Sequence, residues 1–429
     1  MRKSFYLLLI LSIISCSPNT NKETSDRSGV YNGLFEKGNF SDSIIIEIEQ
    51  DSLQWRAYFT SLEQNANRIP FREVEVKGDS INFKIQSDFY TYSFKNLWAK
   101  TNSKLSGSLT VDTLQIPYTL YKVAGKMNIP ASEDINFRTN DLKLNGTIYY
   151  PANDRKEALV IVTSSGNSDR SASRAEAQLF AKRGYTTFIY DKRGTGSSEG
   201  NWSRASIEEL ASDDINAITW FSKKTNIPLD QIGIKGNSQG ASKIPFILNE
   251  IKDLKYGIAV SCPGSTLLES DLNYWKNRNQ ENLGEHFEEA TKFERKVFET
   301  IAGVISKETL QKEIDQNKSK EWFNKVWIPD LAEIEIDQKL NYSPIPYFEK
   351  TKQPILVVQG SLDEIIPPKS YEAINEALEK AQNKNHKIVV LEGASHSMYE
   401  VTKSDFPYWS KLHRNYLSIL ENWIQSLNQ

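Results

Sequence analysis

The sequence predicts an α/β protein, a doubly wound and mostly parallel sheet with a helical insertion, preceded by a small antiparallel β domain. Three observations carry this. From about residue 132 to 429, short Val- and Ile-rich runs ("ALVIVT", "TTFIY", "IGIK", "YGIAVS", "PILVVQ", "KIVVLE") alternate with amphipathic stretches. That is the pattern of buried parallel strands joined by helices. From residue 29 to about 125 the chain shows partial period-two alternation, broken by turn residues at Asp51-Ser52, Gly78-Asp79 and Asp112-Thr113, which predicts antiparallel strands in a small barrel or sandwich. Over residues 265–346 the strand rhythm stops, and "HFEEATKFERKVFETIAGVI" and "KSKEWFNKVWIPDL" take helical spacing.

Taken in chain order, residues 1–15 set Arg2 and Lys3 ahead of an apolar run from Phe5 to Ile14. This is the layout of a secretory signal peptide, and the run is too short to span a bilayer comfortably as a mature helix. Residues 16–28 are polar without periodicity and predict a flexible tether. The β domain holds no cluster of catalytic residue types, which favours a spacer or lid support over a ligand-binding module. In the second body, Ser206 with Glu209 three residues on predicts a capping box opening a helix. A formal net charge of −3 gives no electrostatic case for nucleic acid. The four histidines lie far apart without metal-ligand spacing, so no metal is expected, and no other cofactor is expected because the nucleophile, base and oxyanion donors weighed below are all protein groups.

Ile13-Ile14-Ser15-Cys16 resembles the bacterial lipoprotein lipobox. The resemblance implies a lipid on Cys16 and attachment to a membrane of the bacterial cell envelope, facing the periplasm or the exterior. With two cysteines in the chain, Cys262 is then left without a disulfide partner.

Two serines sit in G-x-S-x-G, Ser238 in "GNSQG" and Ser198 in "GSSEG". Ser238 directly follows the strand "QIGIK" and leads into a possible helix, the strand-turn-helix of a nucleophile elbow. Ser198 lies several residues beyond "TTFIY" in a glycine-rich loop, so Ser238 is the candidate nucleophile. A serine hydroxyl needs a base to take its proton and an acid to orient that base. Asp363 follows "PILVVQG" and His396 follows "KIVVLEG", in the chain order Ser, Asp, His expected of strand-end loops. Glu364 is the reserve for the acid. His286, His386 and His413 lack a strand-end context.

At this point the chain resembles an α/β-hydrolase over residues 132–429, and more narrowly the bacterial serine esterases related to S33 aminopeptidases and dienelactone hydrolases. "FAKRGYTTFIYDKRGTGSSEG" is similar to that group's helix, strand and DxRGxGxS loop, in which Asp191 and Arg193 would hold the loop in shape. Asp169 and Arg170 match its D-R pair, a structural anchor. The resemblance implies an oxyanion hole made by the backbone N–H groups of Ser165 and Gln239, and a helical cap over residues 265–346. One departure stands out: where the group carries H-G-S-G-P, this chain has Thr163-Ser164-Ser165-Gly166-Asn167.

The expected function is a lipid-anchored serine hydrolase that cleaves small carboxylic esters through an acyl-enzyme. A serine peptidase with the same triad is the alternative, and acidic groups such as Glu281, Glu285 or Glu288 would then hold a substrate amino terminus. A non-catalytic envelope binding protein is the third reading, motivated by the altered oxyanion segment and the β domain. The cap aromatics Phe287, Phe293, Phe298, Trp322, Phe323 and Trp327 either line the roof of the site or pack the cap.

Overall fold

The computed structural model describes residues 27–51, 54–86, 90–124, 129–153 and 156–428. The signal-peptide segment, Cys16 and nearly all of the tether lie outside the described residues.

Among the described residues nine strands come first: β1 (Gly29–Lys37), β2 (Phe40–Gln50), β3 (Trp55–Ser61), β4 (Ala66–Pro70), β5 (Arg72–Lys77), β6 (Ser80–Gln86), β7 (Thr91–Trp98), β8 (Lys104–Val111) and β9 (Leu114–Val123). They form one antiparallel sheet in the order β4-β3-β2-β1-β9-β8-β7-β6-β5. Alternation does the sorting. Along β2 every second residue from Phe40 to Ile48 is buried, because successive side chains point to opposite faces. The sheet curls, and Phe71, between β4 and β5, donates its N–H to the Ala57 carbonyl of β3 at 2.9 Å. Rings from Phe35, Phe59, Phe71, Phe83 and Phe94 fill the enclosed face.

The second body opens with a hairpin, β10 (Ala131–Thr139) and β11 (Leu142–Tyr150). Then follow β12 (Ala158–Ile161), α1 (Arg174–Lys182), β13 (Thr186–Tyr190), α2 (Ile207–Thr225), β14 (Ile232–Asn237), α3 (Gln239–Glu250) and β15 (Tyr256–Val260). The cap contributes α4 (Leu267–Leu283), α5 (Phe287–Ile301) and α6 (Lys307–Asn317), and α7 (Ile345–Phe348) returns the chain to the core. The body closes with β16 (Ile355–Gly360), α8 (Ser370–Lys380), β17 (His386–Leu391) and α9 (Tyr416–Ser426). The sheet order is β10-β11-β13-β12-β14-β15-β16-β17, parallel from β13 to β17. Helices α2, α3 and α8 cover one face and α1 and α9 the other. Strand order reverses around β12 and β14, so a crevice opens beyond their carboxyl ends.

Three elements differ from the sequence reading. The hairpin β10–β11 precedes the parallel strands and pairs antiparallel with β13. "KIVVLE" is the edge strand, partly exposed along its length. "KSKEWFNKVWIPDL" is irregular apart from one 3-10 turn at Phe323–Lys325. Adjacent Trp322 and Phe323 both pack into the cap core, and Pro329 disfavours helical backbone at Ile328. The regular third cap helix is instead α6, opened by Ser306, whose hydroxyl accepts from the Thr309 N–H.

A late segment joins the two bodies. The loop between β17 and α9 sends Phe406 and Trp409 into the core of the β domain. The Trp409 indole N–H donates to the Asp42 carboxylate at 2.6 Å, which also accepts from Ser61 and Gln64. Tyr399 of the same loop donates to the Gln64 carbonyl at 3.2 Å.

Candidate active site

Ser238 stands alone between β14 and α3 with φ 54° and ψ −122°. A non-glycine residue there stores strain on the order of 1–3 kcal/mol. The flanking glycines make the turn possible. A Cβ on Gly236 would come within 2.4 Å of the Gly240 backbone, and one on Gly240 within 2.9 Å of the Thr163 carbonyl oxygen. The Ser238 N–H donates to the Val260 carbonyl at 2.9 Å, tying the elbow to the neighbouring strand.

His396 lies in the turn after β17, and its Nδ1 is 2.9 and 3.1 Å from the two carboxylate oxygens of Asp363. Asp363, in the turn after β16, also accepts the N–H groups of Ile365 and Ile366 at 3.0 and 2.9 Å. Its side chain is 2% exposed against 12% for His396. A fixed carboxylate that only accepts holds the proton on Nδ1 and leaves Nε2 as the basic nitrogen. Glu364, the reserve acid, accepts the backbone N–H of His396 at 3.1 Å and does not meet the ring. The His396 carbonyl accepts from the Ser261 hydroxyl at 2.7 Å.

Ser238 and His396 line one cleft of about 600 Å³, together with Ser164 and Ser165. Ser165 is on the loop after β12, and Gln239 is the first residue of α3, so its N–H is one of the unpaired donors at a helix start. The structure therefore brings Ser238, Asp363, His396, Ser165 and Gln239 to the carboxyl ends of neighbouring strands. Cys16 lies outside the described residues. Among the described residues no group of His, Cys, Asp and Glu is placed to hold a metal ion.

Ser198 is occupied elsewhere. Its hydroxyl donates to the Asp191 carbonyl at 2.7 Å and accepts the Asn145 N–H at 2.9 Å. Asp191 accepts the Arg170 N–H at 2.8 Å and its guanidinium, while Arg193 pairs with Asp213 at 2.6 Å. Asp191, Arg170, Arg193 and Asp213 shape the loops around the cleft. His286 faces Glu321 in the cap, and His386 faces Asn383 and Asn375.

The cleft also has walls that the sequence did not announce. The cap aromatics do not line it; Phe293 and Trp322 are buried in the cap core, and Trp327 is 54% exposed outside. From the cap it receives Asp271 and Tyr274 of α4, and from the β domain Asn65, with Tyr399 beside it. Asp271 is reached by solvent but enclosed by the cleft walls. That enclosure, with Asp337 nearby, raises its carboxyl to about 6. Glu281, Glu285 and Glu288 are not among the lining residues. Only the helical periodicity of α4 could have placed Asp271 and Tyr274 together. Asn65 carried no signal.

The family model for the X-Pro dipeptidyl-peptidases (S15 family) matches residues 141–398, more than half of the chain. An uncharacterised 31.7 kDa protein of the traX-finO intergenic region of Escherichia coli is 25% identical over 214 residues, 47% of this chain and 71% of that protein. The polyketide transferase ATR5 of Stachybotrys chlorohalonatus is 32% identical over 117 residues, 27% of this chain and 39% of its own. Among solved structures, the Pyrococcus furiosus esterase Pf2001 aligns with a TM-score of 0.45 and 18% identity, covering 69% of this chain and 91% of its own. The match that spans β11 to the His396 turn decides the family: this chain belongs to the X-Pro dipeptidyl-peptidase (S15) family and is a hydrolase of the α/β type.

Proposed function

We propose that the protein is a serine esterase. The observation that carries the reading is the Asp363–His396 couple facing the same cleft as a strained Ser238. His396 Nε2 takes the Ser238 proton as the hydroxyl oxygen attacks the ester carbonyl. The N–H groups of Ser165 and Gln239 receive the negative charge that develops on the carbonyl oxygen. His396 then returns the proton to the leaving alcohol, and an acyl group remains on Ser238. Water, deprotonated by His396, attacks the acyl carbonyl and restores the free serine. Esters come first because an alkoxide leaves with less help than an amine.

The test is labelling by a fluorophosphonate, followed by turnover of p-nitrophenyl esters of graded chain length. Labelling should survive Ser198→Ala and vanish in Ser238→Ala. A wild-type protein that does not label beside a reactive control hydrolase would overturn the reading in favour of a binding protein.

A peptidase reading is favoured by one observation, the Asp271 carboxylate in the cleft. With its carboxyl at about 6, Asp271 is mostly ionised at neutral pH and suits a substrate ammonium. Turnover of aminoacyl or dipeptidyl p-nitroanilides above that of matched esters, lost in Asp271→Asn, would replace the esterase reading.

The proposal extends to Cys16 as the lipid attachment point, holding the enzyme at a bacterial envelope membrane. Incorporation of labelled palmitate that disappears in Cys16→Ala is the expected result.

A further inference from the structure

The loop after β12 lacks the H-G pair seen in similar esterases, and something else must hold it. Lys192, two residues past β13, is 2% exposed and carries its Nζ across the Trp202 ring, 5.0 Å from the centroid. That Nζ donates to the Ser164 carbonyl at 2.6 Å and to the Ser165 carbonyl at 3.1 Å. In a trans peptide the C=O and the N–H of one plane point in opposite directions. An ammonium that fixes the Ser164 carbonyl therefore turns the Ser165 N–H the other way. The Ser164 hydroxyl adds a second clamp, donating at 2.8 Å to the carbonyl of Asn237, the residue before Ser238. Beneath the loop, Thr163 meets Asp214 of α2 through its N–H at 3.3 Å and Lys243 of α3 through its hydroxyl at 2.9 Å.

We propose that Lys192 is a positioning residue of the oxyanion hole, fixing the Ser164–Ser165 peptide plane and so aiming the Ser165 N–H at the developing oxyanion. The proposal rests on Ser238 being the nucleophile. It also gives the loop a source of order that needs neither the histidine nor the first glycine. A cation on the carbonyl polarises the peptide and strengthens its N–H as a donor.

The charged groups around Lys192 are Lys243 and Asp214, which form an ion pair with each other. Burial first, and Lys243 second, lower Lys192 to about 8, with Asp214 opposing. Loss of its charge above that pH weakens both hydrogen bonds, so activity acquires an alkaline limb near pH 8.

The experiment measures kcat, KM and their pH profiles on p-nitrophenyl acetate for wild type, Lys192→Met and Lys192→Arg. Fluorophosphonate titration of Ser238 and thermal unfolding run alongside. Lys192→Met should lose about 10- to 100-fold in kcat, somewhat less than removal of an oxyanion donor itself, with KM within about twofold. Lys192→Arg should recover part of that loss and move the alkaline limb upward, because a guanidinium keeps its proton. Wild-type kcat in Lys192→Met overturns the proposal, as does a loss fully explained by fewer titratable sites. If Lys192→Met does not fold, Lys192→Arg decides, and an unmoved alkaline limb overturns the proposal. A wild-type protein that neither turns over nor labels rejects the nucleophile itself, a failure seen with Lys192 intact.

Discussion

The two sheets bury their residues by opposite means. In the β domain, strands alternate buried and exposed positions around a core of large rings, including Phe35, Phe59, Phe94 and Trp98. In the hydrolase body, β12, β13, β15 and β16 are buried at every position, with aliphatic residues prevailing on β12 and β16 and the rings of Phe188, Tyr190 and Tyr256 on β13 and β15. A curled sheet with one enclosed face buries every second side chain, whereas a sheet covered by helices on both faces buries them all. The difference also divides the labour. Chemistry-bearing residues gather where parallel strands end, while the β domain grips the loop that carries His396 and lends Asn65 to the cleft wall.

That comparison is sharpest at the triad. Ser238→Ala should reduce kcat by about 10⁴-fold or more, and Asp363→Asn by about 10⁴-fold. The stability of the β domain should not change in either, which chemical denaturation followed by Trp fluorescence would check.

Trp409→Ala tests whether the two bodies are energetically one. It empties an indole-sized space in the β domain and removes one of the hydrogen bonds to the Asp42 carboxylate, costing about 3–5 kcal/mol. If the β domain holds the His396 loop in place, kcat falls as well. Full activity in a protein with a melted β domain would break the comparison.

Asp42 makes a pH signature. Burial is the largest cause that raises its carboxyl from 3.8 to about 6, with the hydrogen bond from Ser61 opposing. The folded state therefore binds the proton more tightly than the unfolded chain. Its contribution is fully present below about pH 3.8 and is lost as pH rises through 6, on the order of 3 kcal/mol at most. Asp42→Asn should flatten the stability profile across that window, as read by urea midpoints at several pH values.

The smallest effect is expected at Asn65. Asn65→Ala should change kcat/KM by a few-fold and cost about 1 kcal/mol of stability, because Asn65 holds φ 55°, where alanine is strained. An unchanged kcat/KM across ester chain lengths would return the β domain to a purely mechanical role.

Much of the architecture was legible because local rules decided it. The Ser206–Glu209 capping box forms as its spacing predicts, and the turns at Gly78-Asp79 and Asp112-Thr113 join β5 to β6 and β8 to β9. Ser238, Asp363 and His396 stood out because each comes in the turn that follows an apolar strand. Other features depend on partners far along the chain. The edge position of β17 is a fact about its neighbours, and its Ile and Val residues read the same at a centre or an edge. Phe406 and Trp409 look like ordinary loop aromatics until the β domain is placed beside them. Lys192 acts on backbone carbonyls, which carry no residue identity to recognise. In the cap, adjacent Trp322 and Phe323 mimicked helical spacing although both turn inward from an irregular segment.

The crossing of Phe406 and Trp409 into the first domain has a consequence for biosynthesis. A chain made from its amino terminus completes all nine strands of that domain nearly 300 residues before these two rings emerge. Until then, the interior they fill stays open and its aromatic surface lies exposed to other molecules. The first domain to be translated is thus completed by one of the last segments to be made.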